Sequence, residues 1–124
     1  MRAYDPAKPP PPIDWLQADE DERAELVSSY HRRHKIRLPN AQLHAVIHVV
    51  IENQLALGEE AVITTLARLQ AEGLSRHDAI HAIGSVLAGE LYSLMQEEAD
   101  ATSGPYRRYL DGLQALSATN WRAG

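Results

Sequence analysis

The stretch AQLHAVIHVVIENQLAL, residues 41–57, constrains the fold more than any other part of this chain. Its apolar residues recur with a helical period and cover nearly the whole circumference of a helix. A helix of that kind belongs at the centre of other helices. Asn40 before it is a good N-cap, and Gly58 after it suits a helix C-terminus. On a helical projection His44, His48, Ile51, Glu52 and Leu55 share one arc. Leu43, Ile47, Val50 and Gln54 fill the neighbouring arc, with Val46 and Val49 near the back.

The rest of the chain has the same period. From about Asp19, DEDERAELVSSYHRRHK crowds acids at its start and bases at its end, as a helix dipole favours. LPN then interrupts, before the central helix. A third helix is expected over about 59–72, stopped by Gly73. Ser75 caps a fourth, about 76–98, with Asp78 at the capping-box position. Its core stripe is Ile80, Ile83, Leu87, Leu91 and Leu94, bordered by His77 and His81 and followed by the small residues Gly84, Ser85 and Ala88. TSGP breaks the chain at 102–105, and a short last helix, about 105–117, carries Tyr106, Tyr109, Leu110, Leu113 and Leu116 at helical spacing. No strand pattern competes. The expected fold is all-α: a bundle of four main helices plus a short C-terminal one, forming a single domain over 15–124. A flexible Pro-rich arm, 1–14, precedes it, holding Pro6, Pro9, Pro10, Pro11 and Pro12 of the chain's seven prolines.

Composition narrows the chemistry. The formal net charge is −5, which argues against a nucleic-acid partner, and RRHKIR at 32–37 is too short to reverse that. There is no cysteine, so disulfides and thiolate metal sites are excluded and a metal has to be held by nitrogen and oxygen. No apolar run reaches the ~20 residues of a membrane span, and the N-terminus lacks the apolar core of a signal peptide. The expectation is a cytoplasmic protein, bacterial in style, with neither nucleic acid nor membrane as partner. A homo-oligomer is compatible with the sequence, and no protein partner is legible.

Four of the six histidines form two matched pairs, His44/His48 and His77/His81, each at i, i+4 in an apolar helix. Such a pair projects from one helical face, ~6 Å apart at the backbone, and suits two-point capture of one ion. Short connections make successive helices antiparallel, so the second and fourth helices are expected to run parallel. On that expectation the four imidazoles converge on a transition metal ion such as Zn, Fe or Mn. Glu52 lies a rise of ~12 Å from His44, too far to share its ion. It is expected to join His48, bind a second ion or orient an imidazole. If the protein is an enzyme, the metal would activate water or dioxygen. The competing reading is a non-catalytic interaction or structural protein whose histidines form a metal-free hydrogen-bonded cluster. HDAIH has Asp where the zinc-protease HExxH has its catalytic Glu, and the context is bundle-like. His31 and His34, beside basic residues, read as a solvated helix end, and Glu90, Glu97 and Glu98 as a solvated face. Neither a Gly-rich phosphate loop nor a Ser–His–Asp set can be assembled.

LHAVIHVVIENQL followed by HDAIHAI resembles a family of small uncharacterised proteobacterial proteins, a domain of unknown function with an LHxxxHxxxExQ segment and then an HDAxHxI segment. The match covers 43–55 and 77–87 and falls on His44, His48, Glu52, Gln54, His77, Asp78 and His81. Where the family tends to have Glu eight residues after the last histidine, this chain has Gly89, with Glu90 one step late. The resemblance implies a shared site and carries no established activity with it.

Overall fold

The structure is a computed structural model that describes residues 3–34, 41–95 and 105–123. Within them the chain is all-α, with no strand: α1 (Pro12–Gln17), α2 (Glu20–Arg33), α3 (Ala41–Ala56), α4 (Glu60–Ala71), α5 (Arg76–Met95), α6 (Pro105–Ala115) and α7 (Ala118–Ala123). The four expected main helices correspond to α2–α5 and the expected last one to α6. The short helices α1 and α7 flank them and were not expected. The chain divides into two compact units, Met1–Glu59 and Glu60–Gly124.

In the first unit, α1 starts with Pro12, whose fixed φ and missing N–H suit the first helical turn. Asp19 caps α2, its Oδ1 accepting the Glu22 N–H at 2.8 Å. Acids fill the first turn of α2, and His31, Arg32 and Arg33 fill the last, as the dipole favours. Gly58 ends α3 with φ +81°, which L side chains rarely adopt. Glu59 N–H then bonds Gln54 C=O at 2.9 Å and Gly58 N–H bonds Leu55 C=O at 3.1 Å, the paired bonds of a Schellman turn. The expected N-cap Asn40 lies outside the described residues.

Packing in this unit centres on Tyr4, Trp15, Val27, Ala45 and Val49, with Ala24, Leu26, Tyr30 and Ala56 against them. Residues 3–11 contribute buried side chains to this unit. Tyr4 is 1% exposed and Pro6 is buried. Removing an aromatic ring from water favours that placement of Tyr4. One polar node ties three elements together. Asn53 Oδ1, on α3, accepts from Trp15 Nε1–H at 2.8 Å and from Arg23 Nη1–H at 3.0 Å. Arg23 also donates to the Leu16 and Ala18 carbonyls at 2.8 and 2.9 Å, closing the end of α1. Arg23 meets the late part of α3, while His31 meets its early part through His44. The two helices are thus antiparallel.

In the second unit, α4, α5 and α6 all touch one another. Gly73 ends α4 in the same manner as Gly58 ends α3, with φ +106°. Ser75 caps α5 by accepting the Asp78 N–H at 3.1 Å, as expected. Val86 faces Gly112 and Glu90 pairs with Arg108 at 2.9 Å, so α5 and α6 run antiparallel. Glu90, expected on a solvated face, is instead partly buried in that ion pair, with a side-chain exposure of 22%. Arg68 donates to the Leu116 and Leu113 carbonyls at 2.7 and 2.9 Å, capping α6. Its ion-pair partner Glu72 accepts the Ala118 N–H at 2.8 Å at the start of α7. That bond, and then Arg68, hold the Glu72 carboxyl below the usual glutamate range. Ile80 and Ile83 of the expected α5 stripe are buried, whereas Leu91 is exposed. Glu97 and Glu98 lie outside the described residues.

Candidate metal centre

α3 carries His44, His48 and Glu52 at successive four-residue steps along one face. His48 and Glu52 are buried, at 2% and 1% exposure, and His44 is half-buried. α2 brings His31 to the same place. Its ring lies edge-on to His44 at 4.8 Å and to His48 at 5.5 Å between centroids. The His44 and His48 rings are 5.8 Å apart. One ring nitrogen from each of His31, His44 and His48 lies within 4.8 Å of the others.

Hydrogen bonds assign the tautomers of two rings. His31 Nδ1 is 2.8 Å from the Val27 carbonyl. A carbonyl only accepts, so Nδ1 carries the proton and Nε2 keeps its lone pair. The Tyr4 hydroxyl donates its single proton to Glu52 Oε2. Its oxygen therefore accepts from His48 Nδ1, 3.0 Å away, and His48 likewise keeps its lone pair on Nε2. Both Nε2 atoms are buried. Burial, and next the neighbouring His31, lower the basicity of His44, which favours its neutral, ligating form.

Of the five residues expected at the site, His44, His48 and Glu52 lie together in the first unit. Tyr4 links Glu52 to His48, which is the imidazole-orienting arrangement, one of the three roles the sequence left open to Glu52. His77 and His81 lie together in the second unit on one turn of α5, their rings 4.2 Å apart. Two residues of the site were not expected. His31, read as part of a solvated helix end, is 5% exposed. The helical phase of α2 contains that signal, because Ala24, Val27 and His31 recur at core spacing. Basic neighbours at 32 and 33 obscure it. His34 is exposed, as expected, with its ring stacked on Tyr30 at 4.0 Å. Tyr4 gives no signal in one dimension, since its partners lie 44 and 48 residues away.

Three imidazoles, two of them with a buried Nε2 lone pair, form a nitrogen donor set suited to a borderline divalent ion. Nitrogens on one zinc lie roughly 3.4 Å apart for Zn–N bonds of about 2.0–2.1 Å. The ring nitrogens then have to draw together from their separation of up to 4.8 Å. No protein-family model, no curated protein and no solved structure matches this chain.

Proposed function

We propose that the first unit binds a transition metal ion through Nε2 of His31, Nε2 of His48 and one ring nitrogen of His44. The observation that carries this reading is the pair of assigned tautomers on neighbouring rings: Val27 and Tyr4 take the Nδ1 protons, leaving a buried Nε2 lone pair on each of His31 and His48, whose centroids are 5.5 Å apart. Metal-ligating histidines characteristically give their other N–H to a carbonyl or to a carboxylate-linked group. Buried Glu52 agrees with it, because a carboxylate out of water is better tolerated beside a cation. Imidazole nitrogen fits Zn, Fe, Ni or Cu better than Mg or Ca. The bound ion would supply Lewis acidity or structural cross-linking. On this reading the first of the two motifs resembling the proteobacterial family, with His44 and His48, is a metal-ligand motif. The sequence adds His77 and His81 to the donors, and on that extension His81→Ala weakens metal binding as His48→Ala does.

Calorimetric titration of tag-free protein with zinc tests the proposal. Binding near micromolar or tighter is expected for wild type and its loss for His48→Ala. The alternative, a metal-free cluster in an interaction protein, draws on the Tyr4–His48–Glu52 network, which is hydrogen-bonded without an ion. It predicts no zinc binding and a large stability loss in His48→Ala.

A further inference from the structure

The route from Glu52 to His48 passes through a residue of the N-terminal segment. Tyr4 Oη lies between the carboxylate and the imidazole, bonded to both. Its ring rests against Trp15 at 5.6 Å, Tyr30 at 6.3 Å and His48 at 5.4 Å. After it the backbone turns: Asp5 Oδ1 accepts the Ala7 N–H and Asp5 C=O accepts the Lys8 N–H, each at 3.0 Å. Pro6 is buried, residues 7–9 are exposed, and the segment runs directly into α1. The segment is a strap, and its Tyr4 side chain fastens at the back of His48.

Resting on the metal-site reading, we infer that Tyr4 is a positioning residue for the ion, and that strap docking and metal binding reinforce each other. Tyr4 Oη accepts the His48 Nδ1 proton only while the strap is seated. With the strap lifted, that acceptor is lost, and with it the bond that sets the His48 tautomer. The seated form therefore binds metal more tightly. By linkage the ion holds the strap down by the same factor. The phenol does not touch the ion; it acts through His48, and Glu52 acts through the phenol.

The test uses the full-length, tag-free chain and zinc itself. Tyr4→Phe keeps the ring and removes the hydroxyl. Its zinc affinity, measured by chelator competition, is expected to fall roughly 10–100-fold, the usual effect of losing an orienting partner. Glu52→Gln is expected to weaken zinc in the same direction, and the double variant by less than the product of the two. Asp19→Ala, which removes only the α2 cap, is the control for lowered stability and is expected to leave zinc affinity unchanged. Hydrogen exchange of the Asp5, Ala7 and Lys8 amides is expected to slow on adding zinc to wild type and not to Tyr4→Phe. Equal zinc affinity in wild type and Tyr4→Phe overturns the inference and leaves the metal site standing. An equal loss in Asp19→Ala also overturns it. Failure of wild type to bind zinc overturns both.

Discussion

Tyr4 and His48 are 44 residues apart in the chain and 3.0 Å apart in space, oxygen to Nδ1. The contact fixes which nitrogen of a buried imidazole holds a lone pair. It also joins the N-terminal segment to the central helix of the first unit.

His31, in the last turn of α2, and His34, the residue that caps its end, are chemically alike, yet one is buried and the other exposed. His31→Ala removes a proposed ligand and is expected to weaken zinc by more than the roughly 10–100-fold that loss of an orienting group gives. His34→Ala is expected to leave it unchanged. Competition with a chromophoric chelator measures both. Equal effects in the two variants would remove His31 from the donor set.

Asn53 Oδ1 serves Trp15 and Arg23 at once. Asn53→Ala strips the indole N–H of this acceptor in a buried setting, which costs roughly 1–3 kcal/mol. The urea midpoint of the first unit is expected to drop accordingly, followed by Trp15 fluorescence. Asn53→Asp retains an acceptor and is expected to lose less.

Gly112 sits where α6 crosses α5. A Cβ there would stand 2.6 Å from Val86 Cγ1, and valine is stiff at χ1. Glycine to alanine in a helix ordinarily stabilises by about 0.5–1 kcal/mol. Here the sign is expected to reverse, with Gly112→Ala destabilising by roughly 1–3 kcal/mol from overpacking. Val86→Ala in the same chain is expected to restore part of that loss. Thermal unfolding of the three variants reads it out.

Glu72 bonds the Ala118 N–H and pairs with Arg68, and its folded pKa is depressed. The contribution of a depressed carboxyl is present in full above its unfolded pKa and is lost as pH falls through the folded one. Wild type is therefore expected to be more stable than Glu72→Gln at neutral pH, with the gap closing in acid below the usual glutamate range. Urea midpoints across that interval measure it. A gap independent of pH would mean that the contact acts through packing alone.

The helices were legible because their signals are local. Gly58 and Gly73 stop α3 and α4 through positive φ, and Ser75 caps α5 through a bond three residues away. The spacing of His44, His48 and Glu52 placed them on one face because helical geometry leaves no other outcome. What the sequence concealed is non-local. Tyr4 enters the site from a segment whose prolines suggest an extended tail, and its binding partners lie on α3. His31 was masked by the basic residues after it, although its phase on α2 matches Val27. The pairing of Glu90 with Arg108 depends on how α6 returns along α5, which spacing within α5 cannot show.

The most direct measurement is elemental analysis of tag-free protein, followed by X-ray absorption at the edge of whatever metal it carries. The account predicts about one equivalent of a transition metal with at least three nitrogen ligands at about 2.0–2.1 Å if the ion is zinc. Protein that carries no transition metal, and whose melting temperature does not move on adding zinc, iron or manganese, contradicts it.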